Sequence, residues 1–331
     1  MKYLFNSLLA ITVFAGCARD GLWFRGNASE PQPLAHRVEI TDPQTPESRE
    51  IYGPSIDKLP TDAKRILNVE FTRTPQGPLF LDLYLPGQAK GRYPLLIWIH
   101  GGGWHVAKDS RLQFLPARVV GRNYVLASIG YRDSNQAHFP AQVQDCKAAI
   151  RFLRAHARQY HIDPKRIGVW GVSAGGHLAA LIGPSGGVAA FEGDGGNAHF
   201  SSRVAAVCNF SGPADLSTFE GGIPAVKQQV PKLMQEFLGE PPKERPDLAI
   251  KASPITYADP TDPPFLIMHG DADPLVEVDQ AVRLYEVLQS NRVEVTLAIV
   301  KGGGHVFWGP EVDREIHAFF DKHLKPSRVK N

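Results

Sequence analysis

The alternation of apolar and polar positions divides the chain near residue 66. From Ile66 onward, short apolar runs alternate with stretches whose apolar residues recur every three or four positions. Such runs mark strands, and a 3.6-residue recurrence marks helices. Ile66–Thr72 and Leu79–Leu85 flank the turn signal Pro75-Gln76-Gly77-Pro78 and predict an antiparallel pair. In the second run, Leu79, Leu81, Leu83 and Leu85 alternate with Asp82 and Tyr84, which predicts an edge strand. Leu95–Ile99 and Tyr124–Ile129 are continuously apolar and predict buried central strands. A helix follows Pro140, with Val143, Cys146, Ile150 and Leu153 on one face and Lys147, Arg151, Arg154 and Arg158 on others. Strands are predicted at Ile167–Trp170, Val204–Phe210, Phe265–Met268 and Val295–Val300, and helices at Gly176–Leu181 and near Asp279–Leu288 and Asp313–Leu324. This alternation implies an α/β fold, a mostly parallel sheet with helices on both faces. Residues 216–264 break the rhythm with many prolines and one short amphipathic helix, Lys232–Leu238. A connection of that length predicts a segment lying over the sheet's end, near the site.

Before Ile66 the pattern thins. Residues 18–65 are rich in Pro, Asp, Glu and Ser, as in Thr41-Asp42-Pro43-Gln44-Thr45-Pro46, and predict an irregular tether. At the start, Lys2 precedes an apolar stretch from Tyr3 to Ala15, broken only by Asn6, Ser7 and Thr12. It is short for a membrane span and has the form of a secretory signal. The chain therefore divides into a signal (1–17), a tether (18–65) and a folded domain (66–325).

Composition narrows the functional classes. The chain has 331 residues, 43% of them hydrophobic, enough for one large core. A net charge of +2 without basic or acidic blocks gives no reason to expect a nucleic-acid partner. With no zinc-type cysteine pair and no P-loop, neither a metal nor any other cofactor is implied. Cys146 and Cys208 could form a disulfide in an oxidising compartment or remain buried thiols.

The chemistry centres on Gly171-Val172-Ser173-Ala174-Gly175, between a predicted strand and a predicted helix. Gly-x-Ser-x-Gly there exposes a serine on a strained turn beside a helix N-terminus, although a serine there could also merely cap the helix. A serine hydroxyl needs a base, and the base an orienting acid. Gly302-Gly303-Gly304-His305 follows one strand and offers the base, His305. His269-Gly270-Asp271-Ala272-Asp273-Pro274 follows another and offers two carboxylates. Asp273 is taken as the acid and Asp271 as a partner of its own turn. His100-Gly101-Gly102-Gly103-Trp104 follows Leu95–Ile99, and its glycines can turn backbone N–H groups toward an oxyanion. His177 and Asp145 are read as structural, and Asp215 as capping a turn. Trp104 and Trp308 flank the loops as candidate substrate walls, or else as core.

The order Ser173, Asp273, His305, each after a strand, resembles the α/β-hydrolase superfamily over residues 66–325. His100–Trp104 together with Gly171–Gly176 resembles the carboxylesterases near the hormone-sensitive-lipase branch. Trp170–Ala179 resembles the BD-FAE-type esterases, which remove acetyl and feruloyl groups from plant polysaccharides. The resemblance implies an α/β-hydrolase fold and a serine carboxylesterase acting through an acyl-enzyme. It places the oxyanion hole at Gly102, Gly103 and Ala174, and implies an ester of a small molecule or carbohydrate as substrate. The segment before Ile66 shows no amphipathic cap helix, unlike hormone-sensitive-lipase relatives. Two other readings compete: a prolyl-oligopeptidase-like peptidase, for which the chain before Ile66 is too short to hold a propeller, and a lipid-anchored glycan-binding protein with an idle triad. Phe14-Ala15-Gly16-Cys17 resembles a bacterial lipobox, with Phe14 where Leu is usual. That resemblance implies lipidation of Cys17 and, with Ala18 following, an outer-membrane destination; an ordinary cleaved signal is the alternative. Both place the protein outside the cytoplasm.

Overall fold

The computed structural model describes residues 34–41, 45–87, 91–105, 111 and 115–326. The expected signal and Cys17 lie outside the described residues. Nine strands among the described residues form one sheet: β1 (Ala35–Ile40), β2 (Lys64–Thr74), β3 (Gly77–Leu85), β4 (Tyr93–Ile99), β5 (Val125–Ile129), β6 (Ile162–Val172), β7 (Ala206–Phe210), β8 (Phe265–Gly270) and β9 (Val295–Val300). Their order is β1-β9-β8-β7-β6-β4-β5-β3-β2. The β2–β3 and β3–β5 pairs are antiparallel and the rest parallel. Helices α1 (Pro46–Tyr52), α2 (Ala141–Ala155), α3 (Ala174–Ile182), α4 (Pro224–Lys227), α5 (Val230–Leu238), α6 (Pro246–Lys251), α7 (Asp279–Ser290) and α8 (Pro310–Leu324) join them.

Period-2 alternation in the central strands builds two cores. Leu95, Ile97 and Ile99 of β4 and Ile167 and Val169 of β6 pack with α2, α3 and α7 on one face. Leu96 and Trp98, with Trp170 and Val172, pack with α8 on the other. Strand order reverses at the β4–β6 pair, and open α/β sheets bind ligands beyond the carboxyl ends of strands at such a switch point. The loops after β4 and β6 therefore meet at the place the sequence assigned to chemistry.

Two expectations change and one open choice closes. The tether is not irregular throughout, because one compact unit begins at Leu34. Its first strand, β1, pairs in parallel with β9 from Ala35↔Val295 to Ile40↔Val300, and α1 is capped by the Thr45 hydroxyl, which accepts from Ser48 N–H at 3.1 Å. The folded domain thus starts about thirty residues before Ile66. Next, β3 is not an edge strand; it lies between β5 and β2. Its polar residue Asp82 is buried and paired with Arg111 at 2.8 Å, and accepts from Asn68 N–H at 2.7 Å. An alternating pattern here reflects a satisfied buried carboxylate, not water on one face. Last, Cys146 and Cys208 are free thiols in cores on opposite faces of the sheet, which settles the open choice against a disulfide.

Candidate active site

Ser173 sits between the last residue of β6 and the first of α3, at φ 56° and ψ −123°. This is a strained backbone for a non-glycine residue. Hydrogen bonds at both ends hold it: Ser173 N–H donates to Phe210 C=O at 2.9 Å, and His177 N–H donates to Ser173 C=O at 2.9 Å. The flanking glycines are required by close approach. A Cβ on Gly171 would lie 2.2 Å from Gly175 O, and one on Gly175 would lie 2.1 Å from Ile99 O.

The loop after β4 lies directly against this turn. A Cβ on Gly101 would meet Val172 O at 2.8 Å and Ser173 Cβ at 3.2 Å. Gly102, Gly103 and Trp104 take φ of 111°, 61° and 58°, a run of left-handed residues that glycine makes accessible. Ala174, at the first position of α3, contributes a helix N-terminus beside the loop. His100 anchors the loop: its ring stacks on Tyr131 at 4.4 Å, its Nδ1–H donates to Gly101 O at 2.9 Å, and the Tyr131 hydroxyl donates to His100 O at 3.0 Å. Burial pushes His100 down to about 4, so it is neutral at physiological pH.

His305 Nδ1 lies 2.7 Å from Asp273 Oδ2. Asp273 Oδ1 accepts the N–H groups of Leu275 at 2.8 Å and Val276 at 3.1 Å, and His269 Nε2 lies 3.2 Å from Oδ2. Burial opposes the charge on Asp273, but hydrogen bonds from His269 and His305 outweigh it and hold the carboxyl well below the usual range. Asp271 does not bond its own turn as expected. It accepts from Gly302 N–H at 2.7 Å and pairs with Lys301, so it ties the Asp273 loop to the His305 loop. Gly270 closes the same junction, where a Cβ would meet Gly303 O at 2.1 Å.

Ser173, His305, Gly102, Gly103 and Ala174 all line one open groove of about 800 Å³. Residues 216–264 supply much of its remaining wall: Phe219, Val226, Gln228, Gln229, Lys232 and Leu233. The segment is fastened to the Asp273 loop through Glu277, whose carboxylate accepts from Gly221 N–H at 2.8 Å and Glu220 N–H at 3.2 Å. Neither Glu277 nor Leu233 stands out in sequence, because their roles depend on segments brought together from far along the chain.

Of the two tryptophans, Trp104 lines the groove with little of its surface open to it, and Trp308 does not line it. The Trp104 indole is 1% exposed. It stacks on Phe237 at 4.3 Å and donates to His177 Nδ1 at 3.1 Å, while His177 Nε2–H donates to Ala252 O at 2.7 Å. Trp308 lies away from the groove, donates to Thr45 O at 3.0 Å and carries the Arg49 guanidinium over its ring. For Trp308 the sequence placed the ring beside a loop without revealing its partners, Thr45 and Arg49. His177 and Asp145 are structural as read; Asp145 takes the Arg132 guanidinium at 2.8 Å. Asp215 caps its turn by accepting from Ser217 N–H at 3.1 Å.

Sheet order, switch point and strained serine turn define an α/β-hydrolase. A truncated carbohydrate esterase from gut microbiota superposes with a TM-score of 0.73 at 31% identity, covering 83% of this chain and 100% of that one. Esterase 2 of Thermogutta terrifontis superposes at 0.64 with 26% identity, covering 82% of this chain and 97% of that one. The chain belongs to the BD-FAE family, which it matches over residues 81–288. Among curated proteins, esterase LipQ of Mycobacterium tuberculosis is 31% identical over 225 residues, 67% of this chain and 52% of that protein. The chain spans about half the length of the curated relatives it matches.

Proposed function

We propose that this protein is an exported serine carboxylesterase that removes acetyl or hydroxycinnamoyl groups from carbohydrate. The observation that carries the reading is the convergence of Ser173 and His305 on one groove, with His305 Nδ1 bound to Asp273 at 2.7 Å. His305 takes the Ser173 proton through its other nitrogen as Ser173 Oγ attacks the ester carbonyl. Asp273 fixes the imidazole tautomer and stabilises its protonated form. The N–H groups of Gly102, Gly103 and Ala174 receive the developing oxyanion. His305 then protonates the leaving alcohol, and water releases the acyl group by the same route.

The groove supports the substrate class. Phe219, Val226, Leu233, Leu275 and Val306 give an apolar surface for an acyl chain or ring, and Gln228, Gln229 and Lys232 give polar groups suited to sugar hydroxyls. The similarity to a gut-microbiota carbohydrate esterase points the same way. An ester panel from acetyl to feruloyl, on small and xylan-linked alcohols, tests the reading. Higher kcat/KM on carbohydrate-linked esters supports it, while preference for prolyl amides, or glycan retention without turnover, overturns it. The apolar stretch Tyr3–Ala15 and Cys17 support export and lipid anchoring. Metabolic labelling with a clickable palmitate should mark the wild type and not Cys17→Ala; equal labelling of both contradicts the anchor.

A further inference from the structure

The Asp273 carboxylate is held by more than the machinery above requires, and the surplus contact comes from a second histidine. His269 is the penultimate residue of β8 and is fully buried. Its Nε2 lies 2.9 Å from Val276 O. A carbonyl only accepts, so Nε2 carries the ring proton. That N–H also lies 3.2 Å from Asp273 Oδ2, the oxygen that receives His305. One N–H thus reaches both ends of the Asp273–Val276 turn. His269 Nδ1 is buried with no hydrogen-bond partner among the described residues. A histidine kept only for packing or fold would more economically be apolar, since an unsatisfied buried nitrogen costs stability.

We propose that His269 is a positioning residue that holds Asp273 Oδ2 toward His305. This rests on the reading of Ser173, His305 and Asp273 as a triad. With His269 in place, Asp273 accepts three hydrogen bonds, from Leu275 and Val276 N–H on Oδ1 and from His305 on Oδ2, and the His269 N–H approaches Oδ2 as a further donor at 3.2 Å. Without it, Oδ2 keeps one donor, and the carboxylate can turn about its remaining bonds. The other ionisable groups of these loops are engaged elsewhere: Asp271 with Gly302 and Lys301, and Glu277 with the backbone at Glu220 and Gly221. No second carboxylate or cation on these loops replaces the lost donor.

His269→Gln keeps an N–H donor at similar reach, whereas His269→Leu and His269→Asn do not. Rates are normalised to active sites titrated with a phosphonate ester, which removes any misfolded fraction. For His269→Leu, kcat per titrated site should fall roughly 10- to 100-fold, with KM within about twofold of wild type. The acid limb of kcat/KM should move to lower pH, because a carboxylate free to turn from His305 stabilises the protonated imidazole less. His269→Gln should restore most of the rate and the wild-type limb. Wild-type kcat and limb in His269→Leu would overturn the proposal, as would equal rates in the Gln and Leu variants. Should the Leu variant not fold, equal rates for the Gln and Asn variants would overturn it. Turnover retained by Ser173→Ala would instead defeat the serine reading itself, which separates the two failures.

Discussion

Ser173 occupies a backbone conformation that a serine adopts only when its surroundings enforce it, and the enforcing contacts are backbone to backbone. Gly175→Ala would place a methyl 2.1 Å from Ile99 O. Relief requires moving β4 or α3, so the variant should lose about 1–3 kcal/mol or more, read as a lower urea midpoint. Asp273 predicts a pH signature. Its folded-state pKa lies below the unfolded value, so its charge stabilises the fold fully above about pH 3.9 and less as pH falls through the folded value. The stability gap between wild type and Asp273→Asn, from urea unfolding, should therefore shrink as pH drops from 5 to 3. Activity of Asp273→Asn at neutral pH should fall about 10⁴-fold, the size expected when a triad aspartate loses its charge. The loop positions of Ser173, Asp273 and His305 were legible because each stands in a glycine- or proline-marked loop after an apolar run. Asp271 was misread because its partner, Gly302, lies thirty-one residues away, beyond the reach of local turn chemistry.

At the scale of elements, helix α5 lines the groove through Val230, Lys232, Leu233 and Glu236. Leu233 lies over the glycine loop after β4, where a Cβ on Gly103 would come within 3.1 Å of Leu233 Cδ1. Leu233→Trp should narrow the groove there. kcat/KM for feruloyl esters should fall at least about tenfold more than for acetyl esters, measured on matched nitrophenyl or methyl esters. An equal loss on both would mean that α5 does not bound the acyl site. The amphipathic run that predicted this helix began at Lys232, and the helix begins at Val230, because Pro231 is tolerated in a first turn. Strand β3 shows the opposite case. Its Leu alternation was read correctly as a strand and wrongly as an edge, since Arg111, which satisfies Asp82, belongs to a distant loop.

The whole molecule depends on pairings that no local pattern reveals. Strand β1 has a single buried residue, Ile40, and little apolar periodicity, yet it completes the sheet beside β9. Ile40 O also accepts Lys301 N–H at 2.9 Å, directly before the His305 loop. A chain starting at residue 62 should therefore lose both stability and turnover relative to one starting at Leu34, by melting temperature and per-site rate. The two core thiols lie on opposite faces, and burial pushes both well above the ordinary thiol range. Peptide mapping after native alkylation should find Cys146 and Cys208 unmodified, and both modified after denaturation. The central claim is that Ser173 is the nucleophile of an acyl-enzyme. Intact-mass analysis after a fluorophosphonate or a slow ester tests it most directly. The account predicts one adduct per chain, mapped to the peptide containing Ser173 and absent from a folded Ser173→Ala variant. An adduct on another residue, or ester turnover by Ser173→Ala at the wild-type rate, would contradict it.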